Sequence, residues 1–154
     1  GNAYNINTGW VTVTAETGLM YIKNNETEDL VIGAIAFGMD TNATFTGTGH
    51  VTIIRNPTTG TLISGASPVD MNQNRNFGSN RTLTVNAYKG ADGNTITDGA
   101  DLAILAVGSG RSYFSIDMDL PKGSAMGIKV DPNLASGNTR MYVALICYVK
   151  DSNI

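Results

Sequence analysis

Met141-Tyr-Val-Ala-Leu-Ile-Cys-Tyr-Val149 carries no charge, no Gly and no Pro. An unbroken apolar run of this length, rich in β-branched and aromatic residues, reads as a strand buried on both faces in the middle of a sheet. Cys147 falls in step with Val143, Leu145 and Val149. It reads as a small buried apolar side chain, because its neighbours supply none of the electropositive surroundings that activate a thiol. As the only cysteine it has no partner within the chain for a disulfide.

Outward from this segment the chain is a series of short alternating strands separated by Gly, Asn, Thr, Asp and Pro. Ser112 to Leu120 places Phe114, Ile116, Met118 and Leu120 on one face, and Met126, Ile128 and Val130 repeat the pattern after the break at Pro121-Lys-Gly-Ser124. Arg81 to Tyr88 alternates with Leu83, Val85 and Ala87 inward. His50 to Arg55 predicts a strand, Asn56-Pro-Thr-Thr-Gly60 a turn, and Thr61 to Ser64 the returning strand. Leu30 to Met39 is a long apolar strand in which Gly33 and Gly38 mark a bulge or a close approach by another backbone. Asp101 to Val107 fits a strand or a short helix, with strand favoured. No segment has a convincing helical period. These features predict an all-β fold, an antiparallel β-sandwich of jelly-roll type with about eight to ten strands.

Residues 1–25 are expected to form an extended N-terminal arm or edge strands, and 26–154 the sandwich domain. The arm reading pictures Trp10, Val11, Val13 and Tyr21 as an interface that adds a strand to another subunit, with Trp10, the only tryptophan, as anchor. The plainer alternative is a first hairpin of the sandwich itself. A second interface candidate is the amide-rich stretch Met71 to Gly78, with Asn72, Asn74, Arg75 and Phe77. It lacks periodicity, and long loops in compact domains are commonly functional. Its amides suit contact with a protein or a sugar, and Tyr88 or Tyr113 would serve as a stacking platform; a self-packed loop explains the same residues.

At 154 residues the chain is most simply one domain with enough core to stand without staples. Charged residues make up only 15%, with a net charge of −3. Polarity comes instead from Thr, Asn, Ser and Gly, whose burial in an interface costs less than that of charges. The arginines are scattered and no basic run exists, which argues against nucleic acid as a partner. No stretch has the ~20 apolar residues of a spanning helix, and Gly1 to Asn7 lacks the regions of a signal peptide.

Candidates for chemistry are few. His50 is the only histidine and has no accompanying motif, so neither a His-based nucleophile system nor a conventional zinc site is expected. Asp117 and Asp119 share one strand face, as a glycosidase pair would need, but a solvated face accounts for them equally. Asp92, Asn94, Asp98 and Asp101 gather oxygen ligands without the spacing of an EF-hand, and turn chemistry explains them. No enzyme activity and no cofactor are expected.

The segment Ile54-Arg-Asn-Pro-Thr-Thr-Gly-Thr-Leu-Ile-Ser-Gly-Ala66, followed by the strand, Leu-Pro-Lys-Gly and final-strand pattern from Ser112 to Asp151, resembles capsid decoration (cement) proteins of tailed bacteriophages with a jelly-roll body. The likeness is one of turn spacing and strand texture over about the last two-thirds of the chain. It implies a homotrimer bound to the major capsid protein on the virion surface and assembled in the host cytoplasm. It assigns no residue-level contacts. The alternative is a glycan- or receptor-binding module of a phage tail fibre.

Overall fold

The computed structural model describes residues 2–40, 44–65, 67–68 and 71–150, with the backbone alone at 65, 67–68 and 71–73. Two six-stranded antiparallel sheets face each other. The first runs β11 (Gly110–Leu120), β4 (Leu30–Met39), β14 (Thr139–Val149), β1 (Ala3–Asn7), β8 (Met71–Asn74), with β2 (Val11–Val13) beside the start of β14. The second runs β10 (Ala100–Val107), β6 (Gly49–Arg55), β12 (Ala125–Asp131), β3 (Thr17–Asn24), β9 (Val85–Lys89), β7 (Ser67–Pro68). A short pair, β5 (Thr44–Phe45) with β13 (Leu134–Ser136), stands apart from both.

The final strand lies inside its sheet, between β4 and β1. It is not buried on both faces. Met141, Val143, Leu145, Cys147 and Val149 are buried, whereas Tyr142, Ala144 and Ile146 are half-buried and Tyr148 is exposed. The second sheet covers only one face, so the run is apolar throughout but dry on one side. Inward residues of both sheets form one cluster, including Ile35, Phe37, Val51, Ile53, Ile128 and Val130.

Gly33 does mark a bulge. From the row through Ala34 to the row through Ile32, β14 advances one residue, β4 two and β11 three. Extra backbone therefore accumulates toward the β11 edge, bending the sheet there. At Gly38 the close neighbour is a side chain rather than a backbone: an added Cβ would fall 2.0 Å from the ring of Tyr142.

Residues 3–24 do not extend away as an arm. Tyr4 and Ile6 are buried in the main core, and β1 takes Tyr148 to Ala144 on one side and β8 on the other. β3 carries Leu19, Met20 and Ile22 into the same core. The apolar side chains of these strands gain more from this cover than exposure would leave them. Val13 is fully buried as well. Nor do the strands of this segment form a hairpin: β1 and β2 pair with β14 in the first sheet, and β3 pairs with β12 and β9 in the second.

Three local expectations change. Thr61 to Ser64 forms the one-turn helix α1 (Thr61–Gly65), not a returning strand. Gly60 has φ +137°, and both Ile63 N and Ser64 N donate to its carbonyl, closing a turn where a hairpin would extend. Leu62 then seals against Tyr21, Ile54 and Ile96 in a second cluster on the outer face of the second sheet. Met71–Asn74 is an edge strand paired with β1, although its residues show no apolar alternation. Arg81 to Thr84 lies outside β9, held by Thr84 N donating to Glu26 Oε1 and by Asn25 N donating to Thr84 O.

The outer cluster is fastened by carboxylates and hydroxyls. Asp98 accepts from Thr58 Oγ1, Thr58 N and Thr59 N, and these bonds hold its pKa at about 2. Asp92 accepts from Thr14 and Thr17. Burial alone would raise its pKa, but these hydrogen bonds together lower it. At the other end of the loop, Gly90 N donates to Leu19 O, and a Cβ there would sit 1.8 Å from the Gly18 carbonyl oxygen.

Two outcomes follow for stability. Gly90→Ala forces backbone apart and should cost about 3 kcal/mol in urea unfolding, whereas Gly108→Ala, which meets nothing within 4 Å, should stay within ~0.5 kcal/mol of the parent. Asp98 has a folded pKa below its ordinary 3.8. Its stabilising contribution is therefore complete above that value and disappears as pH falls through about 2. The gap in urea midpoint between the parent and Asp98→Ala should be constant near neutrality and close over that acid range; a gap unchanged by acid would disprove the assignment.

Candidate functional site

Two regions combine concavity with exposed side chains. The first is the open side of the sandwich, where β10 ends one sheet and β11 ends the other. Both edges lack a neighbouring strand among the described residues. On β10, Leu102 and Ile104 are 54% and 65% exposed, far from the usual state of aliphatic side chains, and Tyr113 on β11 is half-exposed. Between the edges, Ala103, Leu105, Phe114, Ile116 and Met118 belong to the core rim but remain only partly covered. A groove of about 530 Å³ opens at one end, lined in part by Leu102, Met118, Leu120 and Met126.

The second region is a hollow of about 600 Å³ on the outer face of the second sheet. Its floor is set by register. Tyr21 lies opposite Tyr88, and Lys23 opposite Asn86, across β3 and β9. Residues two apart share a face, so the four side chains form one patch. The tyrosine rings stack, with centroids 5.8 Å apart and planes at 11°. Burial raises the pKa of Tyr21, and Tyr88 beside it raises it further. Asn56, Thr58, Ser124 and Ile63 line the hollow with them. Asn56 sits at φ +50°, with its N–H donating to Ala125 O and its Oδ1 accepting from Ala125 N.

The interface residues named from sequence separate. Trp10 is 48% exposed and meets Tyr142 edge-on at 4.8 Å, with the Arg140 guanidinium 5.0 Å from its centroid. Arg140 is also paired with Asp40. Val11 packs partly against the core, Val13 is inside it, and Tyr21 belongs to the tyrosine hollow. Asn72 is placed by its backbone alone, opposite Ile6 in the ladder. Arg75 is exposed and Phe77 is 99% exposed at the tip of the following turn. The amides of that turn are engaged in folding it: Asn74 Oδ1 accepts from Asn76 N, Asn74 Nδ2 donates to Ser79 Oγ, and Asn76 Oδ1 accepts from Gly78 N. The tyrosine–amide combination thus occurs at Tyr88, away from the 71–77 stretch.

The remaining candidates sit in ordinary positions. His50 is half-buried on β6, opposite Asp131 and Ala106. Asp117 and Asp119 point outward from β11, and Asp119 accepts from Lys150 Nζ at 3.1 Å. The loop aspartates Asp92 and Asp98 spend their oxygens on Thr donors, and no group of three or more His, Cys, Asp or Glu among the described residues is placed to hold a metal. Among the described residues, no helix is long and apolar enough to cross a membrane.

Burial pushes the Cys147 thiol up to about 12. It should resist a disulfide reagent in native buffer and react stoichiometrically once the chain is unfolded in guanidinium. Rapid native labelling would show that β14 opens readily.

Neither a scan against protein-family models nor a search of curated proteins finds a match for the chain.

Proposed function

We propose that this chain is a non-enzymatic structural protein of a phage virion, one that decorates and stabilises a capsid through subunit–subunit and subunit–shell contacts. It self-associates, as a homotrimer, and binds the major capsid protein. The jelly-roll class of the body and the location on the capsid surface belong to the same proposal and rest on the sequence resemblance.

The observation that carries the contact role is the open side of the sandwich. A long unpaired edge with aliphatic side chains is a template for further association, and natural proteins ordinarily protect such edges. Here two edges lie on one side, with Leu102 and Ile104 in solvent and the core rim behind them. A subunit seated there removes apolar area from water on both partners. Stable interfaces bury roughly 1,000 Å² or more in total, and shell-bound copies then stabilise the shell by mass action.

A second reading, a glycan- or receptor-binding module of a phage tail fibre, draws on the tyrosine hollow. Co-sedimentation with undecorated capsids separates the two.

The double variant Leu102→Glu, Ile104→Glu places charge at the open side without touching the buried rows. It should keep the parent circular dichroism spectrum and turn the oligomer seen by light scattering into a monomer. A parent chain that is itself monomeric and ignores capsids would overturn the proposal.

A further inference from the structure

We infer that the hollow floored by Tyr21 and Tyr88 is a binding site for an acidic saccharide, a sugar ring carrying a carboxylate. The inference rests on the glycan-binding reading of this hollow and adds the ligand class; it does not depend on where in a virion the chain resides.

Shape comes first. A concavity of about 600 Å³ falls within the range of small-molecule sites. It exists without rearrangement, because its walls are fixed: Asn56 is tied to Ala125 by two reciprocal bonds, and Ser124 Oγ donates to Pro121 O. Ile63, on α1, is held beside Leu62, which is sealed in the outer cluster.

The lining chemistry then selects the ligand. Stacked tyrosines give an aromatic wall of the kind that receives the C–H face of a sugar ring. Beside them stand neutral donors suited to hydroxyls. The Asn56 Nδ2 and Asn86 side-chain amides make no hydrogen bond among the described residues, since the reciprocal bonds of Asn56 use its N–H and Oδ1. Lys23 has no ion-pair partner among the described residues and is the only charged group lining the hollow. In a chain of net charge −3, a hollow with one ammonium and no carboxylate is a local reversal of sign. A single point cation matches one carboxylate. The site has neither an arginine fork nor a run of free backbone N–H groups to suit a phosphate, so an acidic sugar is favoured over a nucleotide.

The test uses the full chain labelled with nitrogen-15 and three probes: trigalacturonate, its neutral counterpart galactotriose, and adenosine monophosphate. Trigalacturonate should shift the amide signals of Tyr21, Lys23, Asn86 and Tyr88 in a saturable way. Lys23→Gln should weaken it about tenfold, equivalent to ~1.4 kcal/mol, and leave galactotriose unaffected. Asn86→Ala, at an exposed position that leaves the fold alone, should weaken both sugars. Equal binding of the two sugars, insensitive to Lys23→Gln, would sink the acidic preference while sustaining a glycan site. Silence from both sugars overturns the glycan reading along with the inference, and preferential binding of adenosine monophosphate replaces both with a nucleotide site.

Discussion

The rest of the molecule depends on one contact, the closure of the second sheet over the inward row of β14. Met141, Val143, Leu145, Cys147 and Val149 share a single buried cluster with Val51 and Ile53 of β6 and Ile128 and Val130 of β12. Each such side chain contributes roughly 1.5–3 kcal/mol when fully covered. The surface ion pairs Arg140–Asp40 and Lys150–Asp119 lie on half-exposed side chains, where such pairs contribute about 0–1 kcal/mol. The core rows therefore determine how the sheets stack. Buried polar groups are arranged to fit that stacking: Asn24, fully buried, donates to Glu28 O and Leu120 O and accepts from Glu26 N, so it ties the following loop and the end of β11 to the end of β3.

The same closure explains why the proposed contact surfaces fall at the margins. A two-layer fold saturates its inner faces and leaves its sheet ends to be managed separately. The β8 end is a short polar strand, Met71-Asn-Gln-Asn74, flanked by a self-bonded Asn turn. The β10 and β11 end is managed differently, with Arg111, Asp117 and Asp119 exposed on β11. It carries aliphatic residues and a bulge that adds backbone to β11. A bulge discourages indiscriminate strand pairing while leaving the side chains available. That combination suits a specific side-chain contact better than open-ended strand addition, and it shifts the proposed association surface from the N-terminal segment to the opposite end of the sheet.

How much of this was legible in the sequence depends on the kind of signal. Unbroken apolar runs located β4 and β14, and alternation located β11 and β12, which keep the period in their residues. It failed for β8, whose polar residues carry no period, and at Thr61–Ser64, where the buried Leu62 and the φ of Gly60 override a β-like composition. Gly33 announced its bulge, since a glycine in a strand has few other uses. The tyrosine hollow was half visible. Spacing puts Tyr21 with Lys23 and Asn86 with Tyr88, but nothing local says that β3 and β9 are neighbours. The sequence therefore offers Tyr21 as an interface residue and Tyr88 as a stacking platform, with no means of joining them.

The groove at the open side and the tyrosine hollow share a boundary, since Asn56, Ser124 and Ala125 line both. That ridge is unusually constrained. Asn56 is held in the left-handed region by its two bonds to Ala125, and Gly127, two residues along β12, is pinned beneath Ile96 and Pro57, where a Cβ would come within 2.8 Å and 3.0 Å of their side chains. β10 and β9 lie four strand steps apart in the sheet, about 19 Å at the usual spacing. A partner seated along the β10 edge, as proposed, would therefore leave the far wall of the hollow open.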